Sequence, residues 1–452
     1  MNPNVFREYD IRGVADRDFG DDFVRDLGRA LGTFYRRRGL DHIAVGRDCR
    51  LSSPRIQKAL CEGLLHAGMN VLDIGVTPSP LLYFTVHRQN LDGGIEVTGS
   101  HNPPDENGFK MMVGKAPLFG EDIVALRELM ESRDFHEGSV GSIRRFDPTP
   151  AYIRHVRDDI RLERTDLRFA VDAGNGAGGP LAIEAMRALG LEPVALLCEM
   201  DGSFPVHHPD PTDPETLVQL RERVLSDGLD LGFAFDGDAD RIGVIDARGE
   251  IIWGDRLMII LSRALLAQHP GATIIGEVKC SQLMYDDIAA HGGRGILWKT
   301  GHSLIKTKMK EEGALLAGEM SGHLFFGDRH FGFDDAVYAA LRLLEILSKS
   351  EVPLHELLAD VPETFTTPEI RVPCDDEKKF AIVQLLVEQF RASHELVDID
   401  GARVSFDGGW GLVRASNTQP VLVLRFEADT PERLEAIRAE MEAALERCKA
   451  AV

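Results

Sequence analysis

Leu229-Asp230-Leu231-Gly232-Phe233-Ala234-Phe235, followed at once by Asp236-Gly237-Asp238-Ala239-Asp240-Arg241, is a short apolar run that ends in a polar, glycine-containing loop. A run of that length bounded by a turn reads as a buried strand. The same punctuation recurs on either side. Upstream, Gly94 to Val97 ends in Thr98-Gly99-Ser100-His101-Asn102-Pro103; downstream, Ala314 to Ala317 ends in Gly318-Glu319-Met320-Ser321-Gly322-His323. Each of these strands closes a longer unit. In the first, His42 to Gly46 reads as a strand, and Ser53 with Pro54 caps a helix carrying Ile56, Leu60 and Leu64 that stops at Gly68. A strand at Asn70 to Ile74 and a second helical stretch follow. The second unit runs from a strand at Arg168 to Val171 through helices near Leu181 to Leu189 and Glu215 to Leu225. The third starts with a strand at Thr273 to Gly276.

Strands alternating with helices argue for parallel sheets covered on both faces. The fold class expected is α/β, with three similar α/β domains of mainly parallel mixed sheets and a C-terminal α+β domain around a central cleft. Ligands of open α/β sheets bind beyond the carboxyl ends of the strands, so the three loops are expected to converge there. After about Pro362 the pattern changes to a strand at Glu369 to Val372, a helix at Glu377 to Phe390, closely spaced strands and a last helix at Pro431 to Cys448. One loop of this tail is Arg414-Ala415-Ser416-Asn417-Thr418-Gln419-Pro420. Its arginine, hydroxyls and amide offer a fork of charge-assisted donors suited to phosphate. The domains expected are 1–147, 148–252, 253–362 and 363–452.

At 452 residues the chain is too long for one ordinary core. Its composition, 44% hydrophobic and 27% charged, is that of a soluble globular protein. No apolar stretch reaches the ~18 residues of a membrane span, and the N-terminus carries no basic segment with an apolar run behind it. The six cysteines, with no CxxC pair, suit reduced thiols in a cytoplasmic protein. A net charge of −22 disfavours nucleic acid as a partner. It would also repel an anionic substrate, so any phosphate site has to be locally basic.

The two most telling loops carry complementary chemistry. Asp236, Asp238 and Asp240 place three carboxylates at alternate positions, an oxygen cluster suited to a hard cation such as Mg²⁺. Ser100 offers one hydroxyl on a tight turn. Serine is a poor nucleophile, but a phosphorylated serine beside a metal ion is a phosphoryl donor, and catalysis of that transfer is mostly positioning and neutralisation of charge.

Five segments together, Phe6 to Gly13, the Ser100 loop through Lys110, Asp236 to Arg241, Gly318 to His323, and Arg414 to Pro420, resemble the alpha-D-phosphohexomutase family, nearest its bacterial phosphomannomutase/phosphoglucomutase branch. The resemblance runs from residue 6 to residue 420. It implies four domains around one cleft and reversible movement of phosphate between C1 and C6 of a hexose, mannose or glucose, through a phosphoserine and a hexose 1,6-bisphosphate that also serves as activator. By that resemblance Ser100 is the phosphoserine, and Asp236, Asp238 and Asp240 bind Mg²⁺ with a phosphoserine oxygen. Arg12, Lys110 and Arg241 surround the phosphoserine, with His101 as a further catalytic candidate. Glu319 and Ser321, with His323, face the sugar. Arg414, Ser416, Asn417 and Thr418 clamp the non-transferring phosphate, helped by Tyr9, Lys279 and His302. The partners implied are phosphosugars acting on a monomer or homodimer, with no nucleic acid and no membrane. Two positions depart from the pattern: Glu277 stands where Asp is expected, and His330 where an aromatic ring is usual.

Other readings of the same residues are weaker. A calcium loop starting at Asp236 needs Gly at its sixth position and Glu at its twelfth, but these are Arg241 and Ala247. A serine hydrolase would want GxSxG, and the adjacent His101 is poorly disposed to act as base for its neighbour. The glycine-rich Asp172-Ala173-Gly174-Asn175-Gly176-Ala177-Gly178-Gly179 lacks dinucleotide spacing and reads as a structural turn. Two alternatives stay open: a phosphoglucosamine mutase, against which Met320 stands, and a non-catalytic phosphosugar-binding protein on the same scaffold.

Overall fold

The computed structural model describes residues 2–452. Four sheets follow one another along the chain. The first has seven strands. Its parallel centre pairs His42–Arg47 with Asn70–Val76 on one side and Gly93–Val97 on the other; Glu106–Val113 and then Ile11–Val14 add antiparallel to it. In the second sheet, Phe169–Asp172 lies parallel between Val194–Leu196 and Leu231–Phe235, and Ile242–Asp246 returns antiparallel. The third repeats that plan with Arg294–Trp298, Thr273–Glu277 and Leu316–Gly318 parallel and Leu324–Phe326 antiparallel. The fourth, in the tail, is antiparallel throughout.

The local elements follow from the sequence with two corrections. The helix Ser53–His66 begins one residue before Pro54, but Ser53 is not its cap: its hydroxyl donates to Asp48 Oδ1 at 2.5 Å. The helix expected from Glu215 opens instead as a single 3₁₀ turn, Pro214–Leu217, capped by Asp213, before the α-helix Val218–Asp227.

The three site loops lie, as expected, beyond the carboxyl ends of parallel strands. In the structure the Ser100 loop joins Gly93–Val97 to Glu106–Val113, the acidic loop joins Leu231–Phe235 to Ile242–Asp246, and the Glu319 loop joins Leu316–Gly318 to Leu324–Phe326. All three are strand-to-strand returns, and the Arg414 loop between Gly409–Ala415 and Val421–Ala428 is a fourth. The spacing explains this, since a parallel crossover needs a dozen or more residues and the acidic loop has far fewer.

Three main cores hold the assembly. One fills the first domain around Phe19, Phe34 and Phe109, and a second runs continuously from Phe84 and Tyr152 through Phe169 and Phe233 to Tyr338. The tail has its own, around Leu386, Phe426 and Met441, touching the third domain through Val278, Trp410 and Leu412. No helix among the described residues is long and apolar enough to cross a membrane.

Candidate active site

The acidic loop owes its shape to its own first residue. Asp236 Oδ1 accepts from the backbone N–H groups of Asp240 and Arg241, at 3.0 and 3.1 Å, while Ala239 takes a positive φ of 54°. The glycine-rich loop supports it from below: Ala177 N donates to Gly237 O at 2.9 Å, and a Cβ on Gly176 would lie 2.7 Å from the same oxygen. That segment is a structural turn, as read.

Asp236, Asp238 and Asp240 are fully buried and present carboxylate oxygens within 4.8 Å of one another. Asp238 Oδ1 and Asp240 Oδ1 are buried with no hydrogen-bond partner. Converging anionic oxygens with unused lone pairs fit a hard divalent cation. Lys110 Nζ reaches Asp238 at 2.6 Å and also pairs with Asp240. Burial raises the Asp236 carboxyl, reinforced by repulsion from Asp238 and Asp240. On Asp238 burial pulls the same way, but Lys110 and the Ser79 hydroxyl outweigh it and the net shift is downward. Lys110 is pulled down by burial and up by Asp238 and Asp240; the carboxylates win.

Ser100 crosses to this cluster from the first domain. Its Oγ donates to Asp236 Oδ2 at 2.8 Å. The residue is buried and has φ +51°, an unusual conformation for a residue other than glycine. That twist corrects the expectation about its neighbour, because His101 Nδ1 lies 3.2 Å from Ser100 Oγ. Burial, with Arg241, Arg12 and His208, holds the His101 pKa well below its ordinary value, so the ring is neutral. Arg12 donates through Nε to Asp10 at 2.5 Å and through Nη1 to Asn102 Oδ1 at 3.0 Å, on the edge of the Ser100 loop.

The third domain adds the sugar-facing candidates. Arg241 Nε donates to His323 Nε2 at 3.0 Å, and His323 Nδ1 faces Asp334 Oδ2 at 3.1 Å. Asp334 also holds Lys306 at 2.9 Å and lies 3.4 Å from His302; the Lys306 charge, with hydrogen bonding to His302 and His323, overcomes burial and keeps it well below the carboxylate range. Glu319 Oε1 accepts from Gly301 N at 2.6 Å; Ser321 Oγ lies 3.4 Å from Glu319 Oε2. Glu277, the residue longer than expected, ties three segments together. It accepts from Lys279 N at 2.8 Å, Thr300 Oγ1 at 2.8 Å and Met320 N at 3.3 Å. His330 lies away from these groups, stacked on Tyr338 with centroids 4.3 Å apart.

In the tail, Arg414 gives Nε and Nη2 to Asp400 at 3.0 and 3.3 Å, which leaves both N–H groups of Nη1 and the second of Nη2 for phosphate. Ser416 Oγ accepts from Thr418 N and Gln419 N, so it builds the loop. Asn417 Nδ2 donates to Tyr9 Oη at 2.5 Å, and Arg7 reaches the Thr418 carbonyl. Lys279 Nζ lies 3.1 Å from Glu369. Among the described residues no hydrogen bond joins residues 414–418 to Ser100 or to the three aspartates. The candidates thus form two hydrogen-bonded groups; Tyr9 meets both Asn417 and the Thr300 carbonyl, and Glu319 holds Gly301, the next residue along. Sequence reasoning missed Ser79, Asp334 and Asp400, whose only signals were Thr77-Pro78-Ser79-Pro80 and the pairs Asp334-Asp335 and Asp398-Ile399-Asp400.

The models of phosphoglucomutase/phosphomannomutase alpha/beta/alpha domains I, II and III match residues 3–137, 150–249 and 253–365, and that of the C-terminal domain matches 369–444. The chain belongs to the phosphoglucomutase/phosphomannomutase family. It is 47% identical to a phosphomannomutase/phosphoglucomutase of Pseudomonas aeruginosa, over 96% of this chain and 94% of that one. It is 44% identical to a phosphoglucomutase of Neisseria gonorrhoeae, over 98% and 97%. A crystal structure of a family member from Burkholderia thailandensis superposes with a TM-score of 0.93 at 41% identity, covering 99% of this chain and 98% of that one. The four-domain α/β architecture expected from the sequence is that of the family.

Proposed function

We propose that this phosphohexomutase interconverts the 6-phosphate and 1-phosphate of mannose, glucose or both. The single observation that carries the reading is the Ser100 hydroxyl 2.8 Å from Asp236, inside a ring of Lys110, Arg12, Arg241 and His101. In the forward half-reaction a substrate hydroxyl gives up its proton and attacks the phosphorus on Ser100, the P–Oγ bond breaks with Oγ taking up a proton, and a hexose 1,6-bisphosphate forms. After it turns over in the cleft, Ser100 takes back the other phosphate. Mg²⁺ held by Asp236, Asp238 and Asp240 would neutralise charge on the transferring group. Lys110, kept protonated by Asp238 and Asp240, and the guanidinium groups of Arg12 and Arg241 add fixed positive charge where the negative charge grows. Neutral His101 is placed to accept or return a proton at Ser100 Oγ. Arg414, Asn417 and Thr418, with Lys279 and His302, hold the resting phosphate, while Glu319, Ser321 and His323 take the sugar hydroxyls.

We assign domains 1–147, 148–252, 253–362 and 363–452, each supplying one loop. One chain supplies all four loops, whether the enzyme is a monomer or a homodimer. Six free thiols suit a cytoplasmic enzyme. Side-by-side rates on glucose 1-phosphate, mannose 1-phosphate and glucosamine 1-phosphate test the substrate class, with the first two expected to dominate. Intact-mass measurement should find phosphate on Ser100, and added glucose 1,6-bisphosphate should activate the dephosphorylated enzyme. A fully active protein that carries no phosphate and ignores bisphosphate would refute the reading.

A further inference from the structure

Arg50 is completely buried, yet it touches none of the candidate ligand-binding side chains. Its five N–H donors are all spent. Nε donates to Asp48 Oδ2 at 3.1 Å. Nη1 donates to Pro103 O at 2.5 Å and Glu106 O at 3.0 Å, and Nη2 to Ser100 O at 2.8 Å and Asn102 O at 2.6 Å. Asp48 takes a further backbone group of the same loop, Gly99 N, at 3.2 Å. One ion pair therefore accounts for five main-chain groups between Gly99 and Glu106. The guanidinium also explains the glycine before the serine, because a Cβ on Gly99 would lie 2.6 Å from Arg50 Cζ.

The far side of Arg50 is closed by the second domain. The Phe204 ring centroid lies 5.1 Å from Arg50 Cζ, and Arg50 makes an isolated parallel bridge to Gly202. A Cβ on Gly202 would lie 2.1 Å from Cys49 O. The Ser100 carbonyl is pinned from both domains, by Arg50 Nη2 and by Gly237, whose added Cβ would come within 2.4 Å of it. A buried, left-handed residue other than glycine persists only where its surroundings over-determine it. Here they do so mainly through one side chain.

We propose that Arg50 is a positioning residue for the reaction: it fixes the Ser100 backbone, with domain II as backstop, so that Oγ aims at the acidic cluster. The proposal rests on Ser100 as the phosphoryl carrier. A planar fork with five donors is required, since the three donors of a lysine ammonium radiate from one point and cannot span these acceptors.

Arg50→Lys keeps the charge and removes the fork. Per folded molecule, kcat should fall roughly 100-fold, the scale of a 1 Å misplacement, while the Kd for glucose 1-phosphate stays within about threefold. The ³¹P resonance of the phosphorylated serine should shift or broaden. If Arg50→Lys does not fold, Phe204→Leu, which removes only the backstop, should lower kcat several-fold with KM unchanged and disturb the same resonance. Lowered thermal stability with wild-type kcat per folded molecule and an unchanged ³¹P signal, in whichever variant folds, would overturn the proposal. Absence of phosphate from Ser100 in the active wild-type enzyme would instead remove the reading on which it rests.

Discussion

Gly237→Ala is a one-carbon probe of the contact between Ser100, the proposed phosphoryl carrier, and the acidic loop. Gly237 does not have a positive φ, so its backbone suits alanine and only the space is at issue. The added Cβ would lie 2.4 Å from Ser100 O, whereas ordinary contact begins near 3.4 Å. The oxygen cannot retreat freely, because Arg50 Nη2 holds it at 2.8 Å. The acidic loop must therefore move by about 1 Å, and the 2.8 Å bond from Ser100 Oγ to Asp236 opens to about 3.8 Å, beyond hydrogen-bonding range. A misplacement of that size costs about 100-fold in rate, or ~2.7 kcal/mol in the barrier. Overpacking should also lower stability by about 1–3 kcal/mol. The assay is conversion of glucose 1-phosphate to glucose 6-phosphate beside a thermal melt. Gly295→Ala is the control, because its nearest neighbour, Tyr285 Cδ1, already lies at 3.4 Å. A Gly237→Ala enzyme with kcat within about threefold of wild type would show that the two loops need not meet closely.

Three further outcomes are expected. Asp238→Asn should cut kcat by several powers of ten while substrate Kd changes little, and thorough chelation should abolish turnover in the wild type; undiminished turnover after chelation would reject the metal assignment. Arg414→Ala should raise KM for the 1-phosphate and the 6-phosphate together, and Ser100→Ala should remove kcat with binding retained; a loss confined to one substrate would contradict a shared clamp. Glu96 is buried with Oε2 unpartnered, and burial, with Asp48 and Asp238, pushes its carboxyl well above the ordinary value. A raised acid stabilises the fold below its unfolded pKa and loses that contribution as pH rises. Glu96→Gln should therefore melt with wild type at pH 4 and by more than about 2 °C higher at pH 8, and equal melting at both would exclude a buried, proton-holding Glu96.

Much of the site was legible because its residues sit next to one another. The acidic loop carries its carboxylates at alternate positions, so the cluster of Asp236, Asp238 and Asp240 could be read without any tertiary structure. The same holds for Ser100 and for Arg414 to Thr418. What escaped were partners that only folding brings near. Ser79 meets Asp238 across 159 positions of sequence, and nothing about a serine before a proline announces that. Asp334 shows its purpose only when His302, Lys306 and His323 surround it. The His101 reading failed for a different reason: neighbours on an extended chain diverge, and the positive φ at Ser100 that turns them together has no signature in residue type.

The tail domain has a hydrophobic interior of its own, and its reach back to the start of the chain is polar: Asn417 to Tyr9 and Arg7 to the Thr418 carbonyl. Its seam with the third domain is different: Val278, Trp410 and Leu412 share one buried cluster, Arg403 donates to the Val278 and Cys280 carbonyls, and Ser281 donates to Glu427. Cooperativity in unfolding spreads through shared apolar packing, so the tail should melt with the third domain, while its polar contacts to the first domain open at lower cost. Amide exchange in residues 416–420 should therefore be faster than in the strand Gly409–Ala415, and a phosphosugar bound there should slow it. Substrate would then act as mortar as well as reactant at that one seam.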